Sequence, residues 1–456
     1  MSVASSAALL GVPVVLIERS AMGGDCLNSG CVPSKAVIAT AGAAHAIRQA
    51  EHYGIKSSPP LIDRIRINRH VRSVIDGIAP LDSVARYRAL GVTVIEGNAV
   101  FQDARTVAVG ATRITARRFV IATGAAPALP DIPGLSEVPV LTNETIFDLD
   151  VVPARLAIIG GGPIGAEMAQ AHRRLGAEVT LIEAGRILAR EDPEAAECIR
   201  RTLRAEGVRI IESAQVSGVT AIGSGVAIDL RDGENRQLVQ ASHLLVATGR
   251  KSRIDGLGLE KAGVATSAKG ITVDAALRTS NRRIYAVGDC AGGPQFTHVA
   301  GYQAGLVIRQ ALFRQPVRVD YATCPRVTYC DPEVASIGLS EAEARISVKG
   351  VRTLRWPFSE NDRARAMGKE AGFVKVVIDR SDRILGVTIV GASAGELIAP
   401  WALAMKQKLR IGAMIDLVLP YPTLSEASRR AALQALAPKL RSPWLGRIIR
   451  FLRMFG

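Results

Sequence analysis

Two cysteines, Cys26 and Cys31, are separated by four residues in a segment that also carries Gly30, Pro33 and Lys35. Glycine between the cysteines and proline just after them predict a loop that enters a helix. One helical turn brings two Cα atoms within the ~4.4–6.8 Å that a disulfide requires. A helix N-terminus and a following lysine lower the pKa of a thiol and make the thiolate available for exchange. The pattern therefore favours thiol–disulfide redox chemistry.

Two other interpretations of the pair are two buried structural thiols and half of a metal site. No second pair of cysteines or histidines stands at zinc-ligand spacing in the sequence, so we expect no metal centre. The remaining cysteines show no spacing pattern and are expected to be plain buried or surface thiols: Cys198, Cys290, Cys324 and Cys330.

A glycine-rich loop connects two apolar segments between residues 156 and 183. The order strand, G-x-G-x-x-G, helix, strand and acidic residue is typical of a dinucleotide-binding unit, in which backbone N–H groups approach a pyrophosphate at a helix N-terminus. Glu183 is placed to accept hydrogen bonds from a ribose diol and to repel a 2′-phosphate. NADH is therefore favoured over NADPH, although Arg186 lies nearby. The loop expected to bind NAD consists of Gly160, Gly161, Gly162, Pro163, Ile164 and Gly165.

The same pattern occurs a second time at the N-terminus. Residues 10–18 match residues 175–183, so that Glu18 takes the place of Glu183. The sequence therefore predicts a second dinucleotide-binding unit, with Glu18 as its ribose acid. The first strand and the glycine loop of this unit would precede Met1, and we expect a misplaced start codon rather than a truncated variant.

With these features, the segment from Gly23 to Lys35 resembles the active-site signature of the FAD-dependent pyridine nucleotide–disulfide oxidoreductases, and the resemblance covers the whole chain. It implies an α/β fold with two Rossmann-like domains, for FAD and for NAD, and a C-terminal α+β dimerisation domain. The expected domains are an FAD domain at 1–150 and 271–316 (without its first strand and glycine loop), an NAD domain at 151–270 and an interface domain at 317–456.

The resemblance also implies which residues contact the cofactors. The segment 284–289 resembles the second flavin motif, in which an aspartate binds the ribityl chain, and the segments 122–124 and 247–249 resemble the joints between the flavin and nicotinamide domains. His298 would open a helix pointed at the flavin, or could equally be an ordinary histidine at a helix start. The FAD contacts implied in this way are Glu18, Lys35, Gly97, Thr123, Gly124, Ala125, Asp289 and His298. Glu167 and Gly249 are further candidates for binding NAD, in addition to the glycine loop.

The mechanism that this resemblance implies passes a hydride from NADH to flavin N5 on one face, while a Cys26–Cys31 disulfide is opened on the other. Cys31 resembles the charge-transfer thiol nearest the ring, and Cys26 resembles the interchange thiol that meets the substrate. Lys35 and Glu167 resemble the ion pair beside N5, although each could be an ordinary charge on a helix face.

Tyr421 stands where the lipoamide and glutathione enzymes have a catalytic histidine, whereas the acid that holds that histidine is present as Glu426. An imidazole titrates near ~6.5 and a phenol near ~10, so efficient dithiol oxidation is not expected. A tyrosine here resembles the mercuric reductases, whose soft cation is held by thiolates and needs no proton shuttle. Residues 358–364 resemble the same branch, but no cysteine follows Cys330. We therefore predict a mercuric-reductase-like enzyme acting on a disulfide or a soft metal ion, with dihydrolipoyl dehydrogenase as the alternative.

Composition excludes several other classes. The chain has 456 residues, 48% of them hydrophobic and 22% charged, which is ordinary for a globular protein. Lysine and arginine number 57 against 42 acidic residues, but they are scattered without interleaved aromatic residues, so no nucleic-acid partner is expected. No apolar run reaches the ~18 residues of a membrane-spanning helix, and cysteines are few, which favours the reducing cytoplasm.

Two expectations concern partners. The resemblance implies a homodimer in which the segment from Tyr421 to Glu426 enters the partner's active site. The segment 443–453 alternates apolar residues with arginines at helical spacing, which predicts a short basic helix that packs on its own protein or makes a weak contact with a membrane surface. If the N-terminus is genuine, a rival hypothesis is a flavin-free NAD-binding or interaction subunit without enzymatic activity.

Overall fold

The chain forms two compact units, each built from segments that are distant in sequence. A computed structural model describes residues 1–233, 235–440 and 442–456. The first unit comprises residues 1–184 and 211–321, and the second comprises residues 185–210 and 322–456.

The first unit contains most of the strands. Its helices are α1 (Ser2–Leu9), α2 (Gly24–Asn28), α3 (Cys31–Gln49), α4 (Arg64–Ile78), α5 (Val84–Ala89), α6 (Pro163–Arg174) and α8 (Thr297–Ala311). Its strands are β1 (Val15–Glu18), β2 (Thr93–Glu96), β3 (Ala99–Phe101), β4 (Thr106–Val109), β5 (Thr112–Thr115), β6 (Phe119–Ile121), β7 (Ala125–Pro127), β8 (Val140–Leu141), β9 (Arg155–Ile159), β10 (Glu178–Ile182), β12 (Gln215–Ile222), β13 (Gly225–Asp232), β14 (Asn235–Ala241), β15 (His243–Val246), β16 (Arg250–Ser252), β17 (Thr266–Ser267), β18 (Gly270–Ile271) and β19 (Ile284–Ala286), and β11 (Arg209–Ile211) lies where the chain returns to this unit.

The predicted strand–helix–strand unit around the glycine loop is present as β9, α6 and β10. The two strands pair in parallel, and the apolar part of β9 is buried, as expected for a strand of a sheet that is covered on both faces. Proline at the first position of α6 suits a helix start because that position needs no N–H donor. β10 ends at Ile182, so that Glu183 follows the strand directly.

The predicted repeat is also present, and its two copies end their helices in the same way. After α1, the N–H of Val12 donates to the carbonyl of Ala7 at 3.1 Å; after α6, the N–H of Ala177 donates to the carbonyl of His172 at 3.0 Å. The glycines at the two ends, Gly11 and Gly176, have φ of +75° and +106°. Such a left-handed glycine is the common way to end a helix and to turn into the next strand.

Parallel strands place the candidate flavin residues at one edge. β1 pairs with β2, and β6 pairs with β19, both in parallel. Residues that follow β6 and β19 therefore emerge together at the carboxyl ends of the strands, which is where ligands bind in α/β sheets. Thr123 follows β6 at this edge, and Asp289 follows β19.

The second unit is organised around an antiparallel sheet. Its helices are α7 (Pro193–Ala205), α9 (Glu341–Ser347), α10 (Asp362–Ala366), α11 (Ala394–Leu397), α12 (Ala399–Lys406), α13 (Gly412–Ile415), α14 (Glu426–Leu433), α15 (Ala437–Leu440) and α16 (Pro443–Leu452), and its strands are β20 (Arg326–Thr328), β21 (Glu333–Gly338), β22 (Arg352–Pro357), β23 (Phe373–Ile378) and β24 (Ile384–Gly391). The sheet has the order β20-β21-β24-β23-β22. Fully buried Trp401 of α12 donates from Nε1 to Ser428 Oγ of α14 at 3.1 Å, which joins two helices of the core.

Candidate active site

The paired cysteines lie at the break between two helices. Cys26 lies in α2, and Cys31 is the first residue of α3. A Cβ at Gly30 would lie 2.8 Å from the carbonyl oxygen of Asp25, so that glycine alone fits the close approach of the chain. The sequence predicted a loop before the second cysteine; the structure instead forms a short helix around Cys26, and both thiols are free.

The two thiols have opposite acidities because they share a hydrogen bond. The hydrogen bond from Cys26 is the largest of the effects that together bring the pKa of Cys31 down to about 5; Thr297 and the nearby charge of Lys35 act in the same direction, and burial opposes them. The same hydrogen bond and burial raise the pKa of Cys26. At neutral pH the pair is therefore a Cys31 thiolate that accepts a hydrogen bond from a Cys26 thiol.

Thr297 is a contact of the redox pair that the sequence did not reveal. Its Oγ1 lies 3.5 Å from Cys31 Sγ, and it is the first residue of α8. The sequence analysis gave two alternatives for the neighbouring His298, a flavin contact or an ordinary histidine at a helix start; in the structure His298 is exposed and stacks on Phe296 with ring centroids 5.3 Å apart. Because the Cys31 thiolate carries no proton, the hydroxyl of Thr297 is the donor of the hydrogen bond between them.

Replacing Thr297 by valine should raise the pKa of Cys31 because a donor to the thiolate is lost. A hydrogen bond to a charged group contributes roughly 1.5–3 kcal/mol, so we expect a shift of about one to two pH units. The pH dependence of the alkylation rate of Cys31 by iodoacetamide in the reduced protein measures it. Thr297→Ser retains the hydroxyl and should behave like the wild type. Coincident profiles for the valine variant and the wild type would contradict the assignment.

Lys35 and Glu167 form an ion pair between two helices. Lys35 Nζ of α3 lies 2.9 Å from Glu167 Oε2 of α6. The carboxylate side chain is 6% exposed and the lysine 36%, so the lysine extends from a buried anchor toward the surface. The structure thus brings together the two residues for which the resemblance implied a place beside flavin N5.

The glycine loop has the close packing that a dinucleotide requires. A Cβ at Gly160, whose φ is +109°, would lie 2.5 Å from the carbonyl oxygen of Ala247, and a Cβ at Gly165 would lie 1.9 Å from the carbonyl oxygen of Gly160. No atom lies within 4 Å of a Cβ at Gly162, so the start of α6 is open to a ligand there. The backbone around the loop therefore fits a pyrophosphate bound at the N-terminus of α6.

Glu183 lies directly beside this loop. The N–H of Gly161 donates to Glu183 Oε2 at 2.6 Å, which holds the carboxylate at the end of β10. Pro163 and partly exposed Ile164 begin α6, and Gly249 follows β15 with φ of +150°. The residues predicted to bind NAD thus surround one edge of the sheet.

The candidate flavin residues near β6 and β19 are linked by arginine. Thr123 Oγ1 donates to the carbonyl of Arg253 at 2.5 Å, and the carbonyl of Gly124 accepts from the N–H of the same residue at 2.9 Å. Asp289 Oδ2 lies 3.5 Å from Arg250 Nε, a buried N–H group without a hydrogen-bond partner. Burial raises the pKa of Asp289, and Arg250 opposes this. The carboxylate of Asp289, at the carboxyl end of a strand, fits the hydroxyl groups of a polyhydroxylated chain such as the ribityl group.

The other flavin candidates lie around the same part of the first unit. Glu18 accepts at 3.0 Å from the N–H of Ser20, and Gly97, with φ of +146°, donates its N–H to the carbonyl of Glu18 at 2.8 Å. Fully buried Ala125 accepts from Arg250 at 3.0 Å. The matching acids of the two repeats, Glu18 and Glu183, thus both follow the second strand of their unit.

Tyr421 has a partner other than the acid that the resemblance implied. Its hydroxyl donates to Asp362 Oδ2 at 2.9 Å, and the side chain is 70% exposed. The hydrogen bond raises the pKa of the phenol, and the charge of Glu426, the first residue of α14, adds to this. Asn361, just before α10, donates to the carbonyl of Thr423 at 3.0 Å and so attaches the segment of Tyr421 to α10.

Two family models match the sequence of this chain. Residues 1–304 match the model described as "Pyridine nucleotide-disulphide oxidoreductase", and residues 324–432 match the dimerisation domain of the same family. The protein therefore belongs to the pyridine nucleotide–disulfide oxidoreductases, flavoproteins that use FAD and NAD(P)H. The predicted family, fold class and cofactors are confirmed, and the dimerisation domain supports a homodimer.

Named relatives belong to more than one branch of this family. The chain is 36% identical to a mercuric reductase from Staphylococcus aureus over 93% of this chain and 78% of the relative. It is 34% identical to a dihydrolipoyl dehydrogenase from Geobacillus stearothermophilus over 94% and 92%. The structure is also similar to a Cu(II) complex of the HOCl-induced flavoprotein disulfide reductase RclA from Escherichia coli, with a TM-score of 0.84, 28% identity and coverage of 94% and 95%. These likenesses support a flavoprotein disulfide oxidoreductase.

The described part of the chain contains neither a membrane-spanning helix nor a cluster of metal ligands. Among residues 1–233, 235–440 and 442–456, no helix has the length and apolarity needed to cross a membrane. The same part of the chain holds no group of three or more histidine, cysteine or acidic side chains arranged to bind a metal ion.

Proposed function

We propose that this protein is an NADH-dependent flavoprotein reductase, similar to mercuric reductase, that passes electrons through Cys26 and Cys31 to a small disulfide or a soft metal ion. One observation carries the proposal: Cys31 begins α3 and lies 3.5 Å from Thr297 at the start of α8, in surroundings that lower its pKa to about 5. Bound FAD would accept a hydride from NADH and supply the electron pair that reduces the disulfide.

With a disulfide acceptor, the cysteines carry the remaining chemistry. Cys26 Sγ attacks one sulfur of the acceptor and forms a mixed disulfide, and the Cys26 proton leaves with the other half of the acceptor, which is released as a thiol. The Cys31 thiolate then attacks Cys26 Sγ, re-forms the Cys26–Cys31 disulfide and releases the second half as a thiol. Each turnover thus oxidises one NADH and reduces one disulfide to two thiols.

The surroundings of Tyr421 favour reduction of a soft metal ion over oxidation of a dithiol. Oxidation of a dithiol requires a base that takes its proton, and the raised pKa of Tyr421 makes the phenol a poor one. Binding of a soft cation by Cys26 and Cys31 displaces the Cys26 proton and needs no further proton transfer, and the two electrons that reduce the cation come from NADH. The mercuric reductase relatives and the Cu(II) complex of RclA support this choice of acceptor.

The nucleotide preference follows from Glu183. Its carboxylate, held by the N–H of Gly161, is placed to accept from the hydroxyls of an adenosine ribose and to repel a 2′-phosphate. We therefore propose NADH as the electron donor, with NADPH used less well.

The visible spectrum of the purified protein, before and after anaerobic addition of NADH, tests this function. We expect flavin bands that give way to a long-wavelength charge-transfer band from the Cys31 thiolate. A flavin that is reduced without this band would exclude the dithiol relay. A colourless protein would favour the rival hypothesis of a flavin-free NAD-binding subunit.

Steady-state assays with Hg(II) and with lipoamide then separate the two enzymatic candidates. We expect NADH oxidation that depends on Hg(II) in the presence of a small excess thiol, with slow reduction of lipoamide. The reverse order would assign the protein to the dihydrolipoyl dehydrogenases, which the Geobacillus relative represents.

We propose further that the protein works as a homodimer in the cytoplasm, with Tyr421 and Glu426 beside the partner's redox cysteines. The domain division proposed with this function is an FAD domain at 1–150 and 271–316, an NAD domain at 151–270 and an interface domain at 317–456. The matched dimerisation domain supports the dimer, and sedimentation during turnover tests it. Full activity of a monomer would contradict the proposal.

The C-terminal helix is proposed to touch an anionic membrane surface weakly. None of the residues of α16 is buried, and its exposed apolar side chains include Trp444 and Phe451. No acidic residue follows Glu426 in the sequence, whereas Arg447, Arg450 and Arg453 stand at helical spacing. A basic amphipathic helix of this kind binds anionic lipid headgroups.

Deleting residues 441–456 should therefore weaken binding to vesicles that contain phosphatidylglycerol. Each arginine near an anionic surface contributes about 1 kcal/mol, so we expect a loss of about a hundredfold in the partition coefficient. Co-sedimentation with phosphatidylglycerol and with phosphatidylcholine vesicles measures it. Equal binding of the full chain to both vesicles, or unchanged binding after the deletion, would show that the helix packs on protein instead.

A further inference from the structure

We propose that Arg250 is a positioning residue that ties the helix of the interchange thiol, α2, to the flavin-binding Asp289. Arg250 Nη2 donates to the carboxylate of Asp25, the residue that precedes Cys26. On its other side, Arg250 Nε lies 3.5 Å from Asp289 Oδ2. The inference rests on the proposed function, because that function gives Cys26 and Asp289 their roles.

Arg250 is held from a rigid part of the fold. It begins β16, which pairs in an antiparallel register with β7, and its Nη2 also donates to the carbonyl of Ala125 at 3.0 Å. Two residues later, Ser252 Oγ lies within hydrogen-bond distance of the carbonyls of Lys269 and Asp289, at 2.9 Å each. The guanidinium and the backbone of Asp289 are thus fixed to the same pair of strands.

The helix α2, in contrast, is short; buried Leu27 packs it on the fold, and Asn143 donates to the carbonyl of Ser29, just after the helix, at 3.1 Å. The helix is five residues long and has no side-chain cap, and a helix of this length is not stable alone. Asn28 donates to the carbonyls of Met22 and Gly24, but both bonds stay within the same segment. The carboxylate of Asp25 therefore supplies a side-chain attachment of α2 to distant strands.

A second arginine completes this attachment. Arg253 Nη1 lies 3.7 Å from Asp25 Oδ1, and Arg253 also pairs with Glu144. The side chains of Arg250, Asp25 and Asp289 are 16%, 26% and 19% exposed, so water screens these pairs less than it screens surface ion pairs. The two guanidinium groups also offset the negative charge that Asp25 places beside Cys26.

A loosened α2 would affect one half of the catalytic cycle. Reduction by NADH does not require Cys26 to meet a substrate, whereas transfer to the acceptor does. A misplacement of a reacting group by about 1 Å can lower a rate by about a hundredfold. Loss of the Arg250 contacts should therefore slow the reaction of Cys26 and leave the earlier reduction by NADH unchanged.

Arg250→Met, measured in the complete protein, is the variant that tests this inference. Relative to the wild type, we expect amide hydrogen exchange of residues 24–30 to be about tenfold faster or more. We expect Hg(II) turnover to fall about 10- to 100-fold. Flavin content and NADH-dependent reduction of a dye should remain within about twofold.

Further variants separate positioning from a general structural role. Arg250→Lys should restore part of the turnover, because a point charge can hold one carboxylate but not bridge two. Asp25→Asn should loosen residues 24–30 to a similar degree, and the double variant should add little. The matched control is Lys251→Met, which removes a neighbouring exposed pair with Asp255 (3.2 Å) and should change nothing.

Unchanged exchange at residues 24–30 in Arg250→Met would overturn the inference. Loss of bound flavin together with dye reduction would also overturn it, because Arg250 would then act in cofactor binding. A wild-type protein without Hg(II) or disulfide turnover would instead contradict the proposed function. The exchange comparison needs no turnover, so it decides the role of Arg250 in that case too.

Discussion

Replacing Cys26 by serine is expected to abolish reduction of the acceptor while leaving the thiolate of Cys31 in place. Cys26 is the thiol proposed to meet the acceptor, and a serine hydroxyl neither forms a mixed disulfide nor binds a soft metal ion well. Turnover with Hg(II) or with lipoamide should fall at least about a thousandfold, the order of loss seen when a nucleophile is removed.

The visible spectrum of Cys26→Ser should show that Cys31 is still a thiolate. Without Cys26 no disulfide forms, so Cys31 remains a thiolate even in the oxidised protein. A serine hydroxyl can still donate a hydrogen bond to Cys31. In the wild type the hydrogen bond from Cys26 is the largest effect that lowers the pKa of Cys31. We therefore expect a charge-transfer band before any NADH is added. In Cys26→Ala the donor is lost, and the band should appear only at higher pH.

Two controls make this prediction specific. Cys31→Ser should lose both the turnover and the band, because it removes the thiolate itself. Cys198→Ser alters a partly buried thiol of α7 and should preserve both. Substantial Hg(II) or lipoamide turnover by Cys26→Ser would show that electrons reach the acceptor by a route without the dithiol.

The sequence predicted the parts of the site that are encoded by neighbouring residues. The strand, glycine loop, helix and acid between residues 156 and 183 are recognised from local spacing, and the close approach of Gly165 to the carbonyl of Gly160 lies within that segment, whereas the approach of Gly160 to Ala247 does not. The match of residues 10–18 to 175–183 likewise predicted a second helix end and strand, which the structure shows with the same closing hydrogen bond.

Contacts between distant segments could not be predicted in this way. Asp25 and Arg250 are 225 residues apart, and Tyr421 and Asp362 are 59 apart. The position of an arginine or aspartate in the sequence does not indicate which distant residue it will pair with, because only the fold brings the two side chains together. Thr297 lies in a segment that the sequence analysis identified, but the candidate cofactor contact named there was the neighbouring His298.

Replacing Tyr421 by histidine is expected to increase turnover with lipoamide. An imidazole titrates near ~6.5, so it can take the proton of a dithiol at neutral pH, whereas the pKa of the Tyr421 phenol is raised above its usual value by Asp362. General acid–base catalysis typically contributes 10²–10⁴-fold. We expect about 10- to 100-fold here, because Asp362 rather than Glu426 is placed to hold the new side chain.

The measurement is the rate of NADH-dependent lipoamide reduction, and of the reverse reaction with dihydrolipoamide, as a function of pH. The gain should follow the titration of an imidazole and should be absent in Tyr421→Phe, which also loses the phenol but adds no base. Hg(II) turnover should not increase, since thiolate ligation needs no proton shuttle.

Equal gains in lipoamide turnover in Tyr421→His and Tyr421→Phe would mean that removal of the phenol causes the gain. Unchanged lipoamide turnover would mean that residues other than Tyr421 determine the choice of acceptor. A gain confined to histidine and to the dithiol reaction would instead show that this one position separates reduction of a soft metal ion from oxidation of a dithiol in this chain.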